Sequence, residues 1–204
     1  MTLLIPLLNR SPNNFLELRY ALRTMERNLP ADRLILVGGL PSWCKPDIHI
    51  SHPDAQTKSR KEENIRDKVL AGMPDGEFIF ANDDHFILQH YYIFPNYYSK
   101  EFGGTGGYLI TIKNTDRSLN YDVHCPIIMD ADRFTTMCTG DWPEWGYCLK
   151  TLYTYGLPGL ETADHKIREW QPGLPWFSTY DGCFAGVIMR NMQKLFPEPS
   201  KWEK

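Results

Sequence analysis

Phe78-Ile79-Phe80-Ala81-Asn82-Asp83-Asp84 is an unbroken apolar run that ends in two adjacent carboxylates. Its apolar residues are aromatic or aliphatic without polar alternation, the pattern of a strand buried on both faces of an α/β sheet. Pro74-Asp75-Gly76, just upstream, is a turn signal that marks where the strand begins. Such a strand delivers its end to the rim of the sheet, where ligands of open α/β sheets bind. Paired carboxylates there offer hard oxygen ligands, which suit Mg²⁺ or Mn²⁺. These ions keep one or two carboxylates and take their remaining oxygens from water and a ligand's phosphates, so a phosphate-bearing ligand is expected. The competing reading makes Asn82, Asp83 or Asp84 a cap on the next element, and the three residues can divide these tasks.

Working outward, Met1 to Leu8 is apolar, lacks a basic leader and is too short to span a bilayer, so it reads as the first buried strand. Ser11-Pro12-Asn13-Asn14 supplies cap chemistry for a helix in which Leu18, Leu22, Met25 and Leu29 recur at helical spacing, and Asn28-Leu29-Pro30 stops it. A second strand is predicted from Leu34 to Val37, closed by Gly38-Gly39. A second helix is predicted near Lys58 to Leu70, with Ile65 and Val69 inward and Lys61, Asn64 and Lys68 on a neighbouring face. This β-α-β-α-β order predicts a mainly parallel sheet with right-handed crossovers. Asn9-Arg10, Gly38-Gly39 and Asn82-Asp83-Asp84 should then line one crevice at the carboxyl ends of the strands.

The second half is less regular. Aromatics cluster from Tyr91 to Tyr98 and glycines from Gly103 to Gly107, before a predicted strand around Tyr108 to Ile112. The glycine stretch reads as a surface loop or hinge, because no Lys-Ser/Thr pair closes it as in a P-loop. With 204 residues the chain suits one domain, and a net charge of −3 gives no global basic footprint for nucleic acid. Five cysteines, odd in number and without a CxxC pair, argue against a disulfide framework or zinc knuckle and fit a reducing cytoplasm.

The candidates for chemistry follow from residue type. His124, between Asp122 and Pro126, reads as a general base if a carboxylate orients one ring nitrogen; Asp122 shares its face if the segment is extended. Asp164-His165-Lys166 puts an acid, a possible metal ligand and a cation within three residues; on a helix they diverge, and the plain reading is a solvated helix start. Ser178-Thr179-Tyr180-Asp181 adds a further acid. Arg10, Lys58, Arg60, Lys61, Lys68 and Lys166 are the cations able to meet a diphosphate, with Arg10 and Lys61 favoured. Trp142, Trp145, Trp170 and Trp176 are available for stacking on a sugar or base, against packing as the ordinary use. No GxSxG elbow or HExxH helix occurs.

Glu17-Leu18-Arg19-Tyr20-Ala21-Leu22-Arg23-Thr24, Asn28-Leu29-Pro30, Pro41-Ser42-Trp43 and Phe80-Ala81-Asn82-Asp83-Asp84-His85-Phe86 together resemble the second conserved region of the Stealth family, over about residues 13 to 90. That family comprises capsule sugar-phosphate transferases and the lysosomal-enzyme N-acetylglucosamine-1-phosphotransferase. His124-Cys125-Pro126 is similar to the histidine-proline segment of its third region, where a histidine is implicated in catalysis. The family's acidic first region has no counterpart, since Leu4-Ile5-Pro6-Leu7-Leu8-Asn9-Arg10 lacks the aspartate, and that catalytic acid is not carried over. The chain is also similar to small glycosyltransferase-like proteins of bacteria and their phages.

The resemblance implies a nucleotide-sugar site in a Rossmann-like, GT-A-type fold, residues 1–90 forming the nucleotide-binding half and 91–204 the acceptor-side half. The expected site then has His124 and Asp84 in catalysis, and Arg10, Lys61, Asn64, Asn82 and Asp83 on the donor. Asp83, Asp84 and His165 are the expected metal ligands, and Asp122, Asp164, Lys166 and Asp181 lie in reserve. The expected partners are a nucleotide-sugar and a hydroxyl acceptor: a glycan, a small metabolite or a modified nucleobase. Transfer of a sugar and of a sugar-phosphate both stay open. The alternatives are a non-catalytic nucleotide-sugar or glycan binding module, and a metal phosphohydrolase, which needs more ligands than can be placed near Asp83.

Overall fold

Thr2–Leu7 forms strand β1, and its side chains alternate between two apolar cores, one on each side of a sheet. Leu3, Ile5 and Leu7 enter the first core and Leu4 the second. The structure, a computed structural model, describes residues 1–11, 13–55, 61–90, 96–99, 119–139, 148–154 and 156–204. Helix α1, Leu16–Asn28, covers one face through Leu18, Ala21, Leu22 and Met25. It is followed by β2, Arg33–Gly38, and β3, Ile48–Ile50. Helix α2, Lys61–Gly72, lies on the opposite face and leads into β4, Glu77–Phe80. Gly72 permits that approach, because a Cβ there would collide with Val37 of β2.

The principal sheet has the order β3-β2-β1-β4-β7, parallel except for β7, Ile127–Asp130, which runs antiparallel to β4. The fold is thus mixed α/β with a mostly parallel five-stranded sheet flanked by helices. In β4, Ile79 joins the first core and Phe78 and Phe80 the second, all fully buried or nearly so, which is the two-sided burial predicted from the run. Each such side chain contributes roughly 1.5–3 kcal/mol through removal from water. Helices α3, Ala131–Cys138, and α4, Leu149–Tyr153, complete the second core through Phe134, Leu149 and Tyr153.

A smaller sheet has the order β5-β10-β9 and carries the chain beyond the acidic pair. Its strands are β5, Phe86–Ile87; β9, Lys166–Ile167; and β10, Trp176–Thr179. Phe86 stacks on Phe177 at 4.7 Å and on Phe184 at 5.0 Å. Buried polar groups of α1 fix β5: Asn28 Nδ2 donates to the Ile87 carbonyl at 2.6 Å, and Ile87 N–H donates to Thr24 Oγ1 at 3.0 Å. Two short strands, β6, Tyr97–Tyr98, and β8, Leu160–Glu161, form a separate parallel pair. A final helix, α5, Gly186–Leu195, packs Ile188 and Met192 into the first core.

Several local expectations are corrected. The α1 start uses Asn13 Oδ1, which accepts from Leu16 N–H at 3.4 Å and from Ser11 Oγ at 2.6 Å, and the backbone turns through left-handed Asn14 (φ 53°) and Phe15 (φ 58°). β3 adds a strand to the predicted order. The second helix starts at Lys61, and Lys58 and Arg60 lie outside the described residues, as do Trp142, Trp145, the glycine-rich stretch and the predicted strand Tyr108 to Ile112. The Asn64 and Lys68 face is not solvated: Lys68, 1% exposed, donates to the Leu7 carbonyl at 2.6 Å and to Asp54 at 2.5 Å. Among the described residues no helix is long and apolar enough to cross a membrane, and all five cysteines are free thiols.

Candidate functional site

The sheet order reverses direction between β1 and β4: β2 and β3 extend to one side of β1, while β4 lies on the other. Chains leaving adjacent parallel strands in opposite directions open a crevice at their carboxyl ends. Asn9 and Arg10 follow β1, Asn9 donating from its N–H to Asp54 and from Nδ2 to the His52 carbonyl, both at 2.9 Å, and Asn82, Asp83 and Asp84 follow β4. A tight turn displays the acids: His85 N–H donates to the Asn82 carbonyl, and Asn82 N–H donates to His85 Nδ1, both at 3.3 Å.

Neither Asp83 nor Asp84 forms an ion pair with lysine or arginine among the described residues. Asp84 Oδ2 accepts a 2.6 Å hydrogen bond from Ser178 Oγ on β10, and Glu17, in the first turn of α1, accepts one of 2.8 Å from Thr179 Oγ1. Burial, followed by the charges of Asp84 and Glu17, raises the Asp83 carboxyl well above the ordinary carboxylate range. Burial likewise raises Glu17, with smaller contributions from Asp84 and Asp181. Among the described residues three carboxyl groups thus face one another here with only Lys61 acting against their mutual repulsion at Asp83, a concentration of acid that a cation relieves. Among the described residues no group of three His, Cys, Asp or Glu side chains can hold a metal ion. The adjacent pair instead offers one or two carboxylates, the number Mg²⁺ or Mn²⁺ keeps when phosphates and water supply the rest.

His124 lies in the irregular segment before β7. Its backbone N–H donates to Asp164 Oδ1 at 3.0 Å, its Nδ1 meets Asp164 Oδ2 at 2.7 Å, and its Nε2 meets Lys166 Nζ at 3.1 Å. An ammonium is a donor only, so these partners assign the Nδ1–H tautomer, with the Nε2 lone pair turned toward Lys166. The carboxylate that orients the ring is thus Asp164, where the sequence suggested Asp122. Asp164-His165-Lys166 does not start a helix. It runs into β9 as extended backbone, whose period of two sends Asp164 and Lys166 to His124 while the His165 ring packs against Trp176 at 5.1 Å. His124 lowers the Asp164 carboxyl against the opposing effect of burial.

Paired strands join the two halves of this site. Ser178 of β10 is in register with Lys166 of β9, so the hydroxyl on Asp84 and the ammonium on His124 come from neighbouring positions of one small sheet. Buried Lys150 of α4 donates to the Val123 carbonyl, and to that of Cys125 at 3.3 Å, gripping the backbone on both sides of His124. His85, 0% exposed, has no partner for Nε2 among the described residues; burial first, and then the nearby ammonium groups of Lys150, Lys166 and Lys61, hold its basicity well below the ordinary imidazole range.

The remaining candidates divide. Lys61, exposed at the head of α2, is close enough to lower both Asp83 and Glu62 by its charge, and Arg10 is exposed without an ion-pair partner among the described residues. Asn64 Oδ1 accepts from Ala55 N–H at 3.0 Å, so that oxygen serves the loop before α2. Burial and then Asp122 raise the half-buried Glu62 carboxyl, and Asp181 is exposed. Trp170 packs edge-on to Phe177 and Trp176 faces Tyr97, so both serve packing. Sequence reasoning missed Glu17, Ser178, Lys150, His85 and Glu62 as parts of the site. Glu17 alone carried a signal, as the acid that opens the Glu-Leu-Arg-Tyr motif. No protein-family model matches the chain, and no curated protein matches it.

Proposed function

We propose that this chain is a metal-dependent transferase that moves a sugar or sugar-phosphate from a nucleotide-activated donor to a hydroxyl acceptor, on a Rossmann-like, GT-A-type arrangement of the sheet. The observation that carries the reading is the joining, through β9 and β10, of an oriented imidazole to carboxylates that have no ion-pair partner among the described residues, at the point where the sheet order reverses. Asp83 and Asp84 are the residues that would hold Mg²⁺ or Mn²⁺, and Ser178 and the Asn82–His85 turn fix the direction they face. When bound, that ion offsets the charge that grows on a leaving phosphate. Arg10 and Lys61 meet the outer phosphate oxygens. His124 Nε2 takes the proton of the acceptor hydroxyl as its oxygen attacks, and Asp164 steadies the imidazolium formed. Lys150 keeps the ring in place by holding its backbone.

General base assistance is worth about 10²- to 10⁴-fold, so His124→Ala is expected to lower kcat within that range and leave donor binding intact. Unchanged turnover would remove His124 from the chemistry. The reading as a whole is tested by melting the protein with nucleotide-sugars, with and without Mn²⁺. A ligand that binds only the folded state raises stability by about 2.7 kcal/mol at a hundredfold excess over Kd. The rise is expected for one donor class, dependent on Mn²⁺ and absent in Asp84→Asn. No shift for any nucleotide-sugar would reject it. The Lys166 ammonium covering His124 Nε2 favours a second reading, a donor-binding module without turnover. Slow donor hydrolysis in the absence of acceptor excludes the second reading.

A further inference from the structure

Among the described residues, Lys166 and Arg168 are cations without a carboxylate partner within ion-pair distance. Among the described residues Lys166 Nζ has one hydrogen-bond partner, His124 Nε2, and otherwise sits over the Tyr180 ring at 5.3 Å from its centroid. The Arg168 guanidinium rests over that same ring at 4.0 Å. The two cations are two residues apart, Lys166 in β9 and Arg168 in the bend that follows it, and both approach Tyr180, which follows the paired strand β10. A half-buried ammonium with three N–H donors and a single ring-nitrogen acceptor is poorly compensated for lost hydration. A charge-assisted bond to an oxyanion is roughly twice as strong as a neutral one.

We propose that Lys166 and Arg168, held over the ring of Tyr180, form an oxyanion site beside His124, and that a phosphate or carboxylate group of the substrate draws the Lys166 ammonium away from Nε2, uncovering the lone pair. The inference rests on His124 as the base of the proposed transfer. It adds that the base is shielded until a negatively charged group arrives. Two sources supply such a group: the diphosphate of the donor, or an acidic group on the acceptor close to its reacting hydroxyl. No bond is made or broken in this step; one hydrogen-bond acceptor replaces another on Lys166.

The test follows the His124 imidazole nitrogens by NMR in the full chain. Titration with inorganic phosphate should move the Nε2 resonance saturably, equally well in Asp83→Asn, with at least tenfold weaker apparent affinity in Lys166→Gln and in Arg168→Gln. A resonance that phosphate leaves still, or an unaltered response in both variants, overturns the proposal. If Lys166→Gln fails to fold, Arg168→Gln, exposed and outside the core, still decides it. A second arm uses a nucleoside diphosphate with Mn²⁺. Movement by the diphosphate that is lost in Asp83→Asn assigns the oxyanion to the donor; a diphosphate that leaves the resonance still while phosphate moves it assigns the oxyanion to the acceptor. Failure of the transferase reading is separate, because it removes the Mn²⁺-dependent thermal shift and leaves the phosphate response in place.

Discussion

Asp83 is a carboxylate kept where its surroundings oppose its charge: burial comes first, then Asp84 and Glu17. A carboxyl raised on folding binds its proton more tightly in the native state, so its ionisation costs stability as pH rises above the unfolded value, and the cost is complete once pH passes the folded value. Asp83→Asn should therefore raise Tm in metal-free buffer at pH 8 by about 2–4 °C, the equivalent of about 1 kcal/mol in a chain of this size, and have little effect at pH 5. Scanning calorimetry at both pH values checks this; a lower Tm at pH 8 would mean that Asp83 is a structural group. Asp83, Asp84 and His124 were legible because each sits beside an apolar run that places it. Asp164 was visible but assigned to His124 only by the structure, across 40 residues, and Ser178 meets Asp84 across 94. No periodicity within either segment encodes partners so distant.

The carboxyl ends of β1 and β2 converge on the buried Lys68 ammonium of α2. Gly38 ends β2 at φ 110°, and a Cβ there would strike the Leu7 carbonyl oxygen that accepts from Lys68. Gly38→Ala should destabilise the fold by at least about 2 kcal/mol, combining backbone strain with displacement of that carbonyl. Urea unfolding measures it, and a loss under about 0.5 kcal/mol would show that the strand ends relax freely. Strands and helices with a strong pattern, β1, α1, β2, α2 and β4, stand within a few residues of their predicted bounds. β3 was not legible, because Ile48-His49-Ile50 is too short to show a period and follows Pro46. Asp164-His165-Lys166 failed for a related reason: three polar residues suit a helix start or an extended edge equally well, and only pairing of β9 with β10 selects the second.

At the scale of the whole molecule, the C-terminal segment fastens the N-terminal half. Arg23 of α1 donates to both Glu203 carboxylate oxygens, at 2.7 and 2.9 Å, and to the Phe196 and Pro197 carbonyls, while Trp202 is buried with its Nε1 donating to Asp47. Removing one member of a largely buried ion pair strands the other, typically at about 3–5 kcal/mol. Glu203→Ala should lower Tm by about 6–12 °C, and thermal unfolding of the variant settles the point. The α/β class was legible from the order of the strong elements. One core spans residue 90, combining Leu18, Leu22 and Phe86 with Phe177, Phe184, Ile188, Met192 and Trp202.

That shared core has a consequence for biosynthesis. Ile87 pairs with Trp176, about 90 positions later in the chain, so a nascent polypeptide emerges from the ribosome with Phe86 lacking the aromatic stack that finally covers it. At 5–20 residues per second, translation leaves that surface open for roughly 5–20 s. The speed of synthesis, as well as the depth of the native minimum, therefore governs how much of the chain escapes aggregation.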